Sequence, residues 1–528
     1  MIPENLLQSP AASQWQQIGI RHHHGICLPL FSLHSEKSCG IGEFYDLLPM
    51  IDWCKDVGMD VIQLLPLNDI GLGTSPYNAI SAFALNPIHL SITELPGIET
   101  IPEYKEKLSK IGYWSRTLRV KYHIVRELKF AFLRDYFSRV YAELSQTPAY
   151  RNFVQENQFW LQSYALFKAL KEINFWKNWE EWPTLMKGPS SQGYQDLLRE
   201  HKDACDFHSF VQYLCFQQFE RVKKYATEKG VFLKGDIPIL ISKDSADVWH
   251  NRHYFLHHLA AGAPPDMYSR DGQYWGFPIY DWEEMSKNDY VWWKQRLQLA
   301  SHLYHLYRID HVVGFFRIWA IGPNKPAREG SFLPADSAEW IPQGRKLMEM
   351  MLTTAPILPI GEDLGLVPDE VKECLHSLGI CGTKVMRWER RWNEDGGFIP
   401  VEAYPAMTMT TVSTHDSDTL QLWWRHFPKE AKLFADYKGW PYTPFLTSEY
   451  QEQILRDSHH SGSLFHINLL QEYLALFPEL VSQNPHNERI NIPGKVLDTN
   501  WTYRFKPSVE RIIEHIPLRE KMRSILKP

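Results

Sequence analysis

The chain has 528 residues, 44% of them hydrophobic, and a formal net charge of −6 at pH 7. This length is more than one ordinary domain needs, but a (β/α)8 barrel with insertions can accommodate it as one unit. The acidic balance provides no basic field to collect phosphates, so we expect no nucleic-acid partner.

The cysteines and the N-terminus predict a cytoplasmic protein. The seven cysteines are odd in number and form no C-x-x-C pair, which fits reduced thiols and gives no sign of a zinc site. Residues 1–17 contain neither a basic segment nor an apolar core, so they do not resemble a secretory signal. No apolar run approaches the roughly 18 residues needed to span a bilayer. We therefore expect no membrane partner and no bound metal.

The first third of the chain begins with two predicted strands and a helix between them. Residues 25–31 and 61–67 are continuous apolar runs, which is typical of parallel strands covered on both faces. A helix is predicted from Phe44 to about Val57, where Gly58 ends it. The loop after the second strand contains turn-forming residues and an aromatic one, Tyr77.

Two long stretches interrupt this alternation. From about residue 95 to 228, apolar side chains recur at helical spacing, which predicts a helical insertion. From about 244 to 282, glycine, proline and aromatic residues are dense, which predicts a long ordered loop, and loops of this length are usually functional.

The strand candidates add up to a barrel. They begin at about residues 25, 61, 231, 306, 356, 382, 409 and 489. Eight parallel strands that alternate with helices close into a (β/α)8 barrel. The predicted fold class is therefore α/β: a TIM barrel with large, mostly helical insertions between its strands and no C-terminal β-sandwich. We expect residues 1–528 to form a single catalytic unit.

Acidic residues end three of the predicted strands. Asp310, Glu362 and Asp416 follow apolar runs, and the C-terminal ends of barrel strands open onto the active-site face. Arg308 lies two residues before Asp310 and points to the same side of the strand. Taken alone, this pair fits a structural ion pair as well as a catalytic site. Asp236, which interrupts the third strand, fits a turn or capping residue as well as a site carboxylate.

Clustered carboxylates suit the cleavage of a glycosidic bond with retention, which needs one nucleophilic carboxylate and one carboxylic acid. Asp310 is the predicted nucleophile, because Arg308 and the imidazole of His311 favour an ionised carboxylate. Glu362 is the predicted general acid, because its longer side chain can reach the glycosidic oxygen. Asp416 would hold sugar hydroxyls and stabilise positive charge on the ring, and His311 and His415 are natural hydroxyl ligands.

The motifs in the chain resemble those of glycoside hydrolase family 77, the amylomaltase or 4-alpha-glucanotransferase family. The matches run in order over almost the whole chain, at residues 40–44, 75–77, 81–83, 235–238, 244–249, 261–268, 275–276, 308–311, 361–365, 413–416 and 489–494. The resemblance implies the same three roles for Asp310, Glu362 and Asp416.

The resemblance also implies a substrate site without a metal or organic cofactor. The loop at about 264–276 would arch over the active site. The implied substrate-binding residues are Tyr77, Asp236, Pro265, Asp266, Trp275, Arg308, His311, His415, Asn491 and Pro493. Phe277 and residues 328–334 depart from the family pattern, which leaves chain-length and acceptor preference open.

The implied activity is disproportionation: a segment of an alpha-1,4-glucan, from malto-oligosaccharide, glycogen or starch, moves to the 4-hydroxyl of glucose or of another alpha-1,4-glucan. Two alternatives remain at this point. One is a hydrolytic alpha-1,4-glucanase of the amylase clan, which would often carry a C-terminal β-sandwich. The other is a non-catalytic glucan-binding protein on an inactive barrel.

Overall fold

Eight parallel strands form a closed barrel at the centre of the molecule. The structure is a computed structural model that describes residues 4–265 and 270–527. The barrel strands pair in the order β10-β11-β12-β1-β2-β3-β6-β9, and a parallel bridge between Ile360 and Cys381 joins the two ends. The predicted fold class is confirmed. The strands of the chain are β1 (His23–Leu28), β2 (Val61–Leu64), β3 (Phe232–Pro238), β4 (Phe255–Ala263), β5 (Gln273–Tyr280), β6 (Leu306–Asp310), β7 (Ile318–Ile321), β8 (Ser331–Leu333), β9 (Leu358–Gly361), β10 (Gly382–Val385), β11 (Thr408–Thr411) and β12 (Phe465–Leu469).

The last barrel strand is not the predicted one. The strand expected to begin at residue 489 is absent, since residues 489–494 have no regular secondary structure. The eighth strand is β12, which pairs with β11 and β1. The polar residues of β12 conceal it: His466 and Asn468 are fully buried and hydrogen-bond to Ser458 of the helix Ser448–His459, whereas the expected signal was an apolar run.

Helices surround the barrel and fill the long connection between β2 and β3. The helix predicted after β1 ends at Gly58, whose φ of 91° lies in the left-handed region that glycine adopts without strain. Across the described residues, no helix is long and apolar enough to cross a membrane. The α-helices are Ala12–Ile18, Leu47–Val57, Pro102–Gly112, Tyr122–Leu144, Pro148–Glu156, Gln158–Ile173, Thr184–Lys187, Ser191–Glu200, Lys202–Lys229, Ala246–His250, Trp282–Ser286, Val291–Leu303, Trp340–Thr354, Asp369–Leu378, Leu420–His426, Pro428–Lys438, Ser448–His459, Leu470–Leu474, Val509–Glu514 and Ile516–Leu526.

A second, antiparallel sheet lies beside the barrel, with the order β5-β4-β7-β8. Its strands β4 and β5 fall inside the range from about 244 to 282 that was predicted as a loop. At Gly262, strand β4 approaches strand β5 closely. A Cβ atom at this position would lie 2.1 Å from the carbonyl oxygen of Gln273. The sheet therefore holds the two ends of the connection between β4 and β5 together.

Strand register sets the positions of the charged residues. In the β3–β6 pair, Asp236 is opposite Arg308, and the two side chains are therefore neighbours inside the barrel. Glu362 directly follows β9, and its N–H donates to the Ile309 carbonyl at 2.9 Å. This pairing brings Glu362 beside the end of β6, where Asp310 lies.

Candidate active site

A cavity of about 950 Å³ opens at the C-terminal ends of the barrel strands. The side chains of Asp310, Glu362 and Asp416 all line it. Three residues that are far apart in sequence therefore meet in one cleft. The cavity is large enough for a small-molecule ligand of several rings.

The guanidinium of Arg308 is the electrostatic centre of the site. Its Nη1 lies 3.0 Å from both carboxylate oxygens of Asp236 and 2.7 Å from Oδ1 of Asp310. Its Nη2 lies 3.9 Å from Oε2 of Glu362. Although burial disfavours the charged form, the surrounding carboxylates raise the pKa of Arg308 far above its usual value. One permanent cation is thus shared among three acids.

Two backbone amides hold the carboxyl group of Glu362. The N–H of His311 donates to Oε2 and the N–H of Leu364 donates to Oε1, both at 3.0 Å. His311 has a φ of 50°, in the left-handed region that side-chain-bearing residues seldom adopt. Burial raises the pKa of Glu362 to about 7, although Arg308 and the two amides oppose the shift. A carboxyl group of this pKa is partly protonated at neutral pH, as a general acid must be.

Asp416 is in the opposite protonation state. Burial works against its ionisation, but His415 and an amide hydrogen bond outweigh burial and lower its pKa to about 2. The amide is Nδ2 of Asn491, which donates to Oδ1 at 2.7 Å, and Nε2 of His415 lies 3.4 Å from Oδ2. Burial alone would lower the pKa of His415, but the Asp416 carboxylate raises it above the ordinary value. The cavity therefore combines a carboxylate whose pKa is lowered with one whose pKa is raised to near neutrality.

Tyr77 joins the wall of the cavity to the residues beneath it. Its hydroxyl donates to Oδ2 of Asp236 at 2.7 Å, and its ring stacks on His415 with a centroid distance of 5.3 Å. The structure places Asp236 below the cavity wall: its side chain is fully buried, and both oxygens accept hydrogen bonds from Arg308. Asp236 therefore contacts Arg308 and Tyr77, which themselves line the cavity.

Of the remaining predicted substrate-binding residues, some line the cavity and one does not. Trp275, Asn491 and Pro493 line the cavity, and the ring of Trp275 meets the ring of His311 edge to face at 5.0 Å. Pro265 is exposed and does not line the cavity. Asp266 lies outside the described residues.

Several aromatic residues of the cavity were not predicted from the sequence. Trp388 and Trp392 line it beyond the end of β10, and Trp501 lines it next to His415. A signal for the first two was present: residues 388–392 (Trp-Glu-Arg-Arg-Trp) directly follow a strand that ends at the active-site face. Aromatic faces at these positions can stack against sugar rings.

A (β/α)8 barrel with three carboxylates at one strand-end cleft, one of them with a pKa raised to about 7, fits the class of carbohydrate-active enzymes. The comparisons with known proteins agree. The family model of glycoside hydrolase family 77, described as 4-alpha-glucanotransferase, matches residues 28–510. The chain belongs to this family. The predictions of the family and of a glucan-transferring enzyme are thereby confirmed.

Similar proteins match over most of their length. A 4-alpha-glucanotransferase of Chlamydia pneumoniae is 47% identical over 508 residues, which cover 96% of each chain. One from Thermus thermophilus is 32% identical, covering 86% of this chain and 89% of the relative. Among solved structures, the amylomaltase from Streptococcus agalactiae in complex with acarbose superimposes with a TM-score of 0.82 at 25% identity, covering 96% of this chain and 98% of that one.

Proposed function

We propose that this enzyme disproportionates alpha-1,4-glucans by a retaining mechanism with a covalent glucosyl-enzyme on Asp310. The donor is a malto-oligosaccharide or a chain from glycogen or starch, and the acceptor is the 4-hydroxyl of glucose or of another glucan. The observation that carries this proposal is the pairing of Asp310 with Glu362 across Arg308 in one cavity.

In the first step, an oxygen of Asp310 attacks the anomeric carbon while Glu362 gives its proton to the departing glycosidic oxygen. The bond from the anomeric carbon to that oxygen breaks, and the shortened glucan leaves with a new 4-hydroxyl. In the second step, Glu362, now ionised, takes the proton of an acceptor 4-hydroxyl, which attacks the anomeric carbon and releases Asp310. The negative charge of Asp416 stabilises the positive charge that develops on the ring in both steps.

The contacts of the site support roles for its other residues. Tyr77 and His415 stack on each other beside Asp416, and His311 and Trp275 meet edge to face in the cavity lining. We assign Asp236 to the positioning of Arg308 and Tyr77 rather than to direct contact with sugar. Asn491 and Pro493 would contact the glucan near Asp416. Contacts from Pro265 and Asp266 rest on the family resemblance alone.

Transfer and hydrolysis differ only in what resolves the glucosyl-enzyme. Transfer dominates when an acceptor is held in line and water is excluded. The loop between β4 and β5, anchored by the antiparallel sheet, is the segment we propose for this exclusion.

Incubation with maltotriose tests the proposed reaction. We expect a ladder of longer malto-oligosaccharides together with glucose, with no net gain of reducing ends, because each transfer breaks and forms one glycosidic bond. The products are followed by chromatography and reducing ends by a colorimetric assay. Glucose and maltose in hydrolytic proportion, without longer chains, would identify a hydrolase and contradict the proposal.

The pH dependence follows from the pKa of Glu362. Its acid form is lost as pH rises through about 7. We therefore expect kcat/KM for maltotriose to fall on the alkaline side, by about tenfold per pH unit well above that pKa. A rate profile from pH 5 to 9 checks this, with circular dichroism at each pH to confirm folding. A flat profile to pH 9 would remove Glu362 as the proton donor.

We also propose a cytoplasmic location. The support is that all seven cysteines are buried free thiols, which suits a reducing compartment.

A further inference from the structure

The loop that carries His415 and Asp416 is anchored at both of its ends. Glu472, fully buried, accepts hydrogen bonds from the hydroxyl of Ser413 and from the N–H of Leu420 at 3.0 Å. These contacts fix where the loop leaves β11 and where it enters the next helix. They do not reach its middle, where Asp416 faces the cavity.

The middle of the loop is held by Arg489, a residue that has no assigned role. Its Nη2 donates to the carbonyl oxygen of Asp416 at 3.2 Å, and its Nη1 pairs with the carboxylate of Asp418. The guanidinium also binds the main chain two residues further on: Nη2 and Nε donate to the carbonyl oxygen of Asn491 at 2.7 and 3.1 Å. The side chain is largely buried, with 13% of its surface exposed.

Through these contacts Arg489 positions both residues of one hydrogen bond, Asn491 and Asp416. Asn491 donates to the carboxylate of Asp416 at 2.7 Å, and Arg489 holds the main chain of each of them. We propose that Arg489 is a positioning residue for the transfer reaction, which sets the place and orientation of the Asp416 carboxylate in the cleft. This inference rests on the proposed role of Asp416 at the sugar.

The contacts need the shape of arginine as well as its charge. The guanidinium is a flat fork of five N–H donors, and here three of its nitrogens serve three acceptors in different directions. A lysine ammonium can keep the ion pair with Asp418 but has no fork to reach both carbonyls at once. Lysine therefore separates a role in positioning from a role in charge balance.

The test is Arg489→Lys, assayed for kcat and KM with maltotriose. A misplacement of about 1 Å in a catalytic group costs about 100-fold in rate. We expect kcat to fall by about 10- to 100-fold with little change in KM, because the loss falls on the charged transition state. The control is Arg134→Lys in the helical insertion, where the arginine pairs with Glu172 at 2.6 Å. Thermal unfolding is measured for both. A wild-type kcat in Arg489→Lys overturns the inference.

Asp416→Asn and the double variant show whether Arg489 acts through Asp416. If it does, Arg489→Lys slows the wild type but does not slow Asp416→Asn further, since coupled residues are not additive. If the kcat reductions of the two single variants multiply in the double variant, Arg489 acts independently of Asp416 and the inference is overturned. If kcat falls in Asp416→Asn but not in Arg489→Lys, the inference about Arg489 is wrong and the proposed role of Asp416 stands. An Asp416→Asn variant of wild-type rate removes both the proposed role of Asp416 and the inference.

A second variant covers the case in which Arg489→Lys does not fold. Asp418→Asn weakens the hold of Arg489 on the same loop, because it replaces the carboxylate that pairs with Nη1 of Arg489. We expect a fall in kcat without a matching rise in KM. An unchanged kcat in this variant overturns the inference as well.

Discussion

Replacing Asp310 by asparagine is expected to lower kcat on malto-oligosaccharides by about 10⁴-fold or more, since a neutral amide cannot form the glucosyl-enzyme. The substitution keeps the shape of the side chain, and Arg308 retains its contacts with Asp236, so the variant should fold. Transfer from maltotriose is measured by product chromatography at high enzyme concentration. Asp135→Asn, which changes a carboxylate paired with Lys107 in the helical insertion, is the matched control.

The intermediate itself gives a second readout for Asp310. Glucosyl fluoride is a donor whose leaving group needs no proton, so it should load the enzyme when acceptors are absent. Mass spectrometry of the quenched wild-type protein should find one glucosyl unit on the peptide that contains residue 310. The same adduct on Asp310→Asn, or on a different peptide, would show that another residue is the nucleophile.

The second large effect is expected for Glu362→Gln. General acid catalysis contributes about 10²- to 10⁴-fold, and glutamine cannot donate the required proton. We expect kcat on maltotriose to fall by that factor while glucan binding, measured by calorimetry, is retained. The alkaline fall of the pH profile should disappear together with the group that titrates at about 7.

Two comparisons make the Glu362 result specific. Glucosylation by glucosyl fluoride should be slowed far less than cleavage of maltotriose, because fluoride departs without protonation. Glu172→Gln, in the ion pair with Arg134, is the matched control and should keep the wild-type rate. Unchanged turnover in Glu362→Gln would exclude this residue from the mechanism. Strong binding with no turnover even in the wild type would favour a glucan-binding protein.

The fold was predictable wherever strands are covered on both faces by apolar side chains. The signal is clear in β2, where all four residues are buried. It fails at β12, where His466 and Asn468 hydrogen-bond to Ser458 in the neighbouring helix Ser448–His459. It fails again at residues 489–494, an irregular segment in which Ile490 is buried while Asn491, Pro493 and Gly494 line the cleft. A pattern of apolar residues indicates that a segment is buried, but not which other part of the protein covers it.

The site was predictable to the extent that it follows strand ends. The sequence predicts that Asp310, Glu362 and Asp416 lie together, because their strands end at one face of a barrel. The contacts of Arg489 with the Asp416 loop and with its own segment could not be predicted, because they depend on how irregular segments fold against each other. The stacking of Tyr77 on His415 is of the same kind.

The way Glu362 is held has an evolutionary consequence. Its carboxyl group is bound by the N–H groups of residues 311 and 364, which every amino acid except proline provides. Most substitutions at position 364 therefore leave that half of the anchor intact, whereas the left-handed φ of 50° restricts the choice at position 311. Descendants of this gene can exchange the side chain at position 364, which lines the cavity, and so change the shape of the cleft without displacing Glu362.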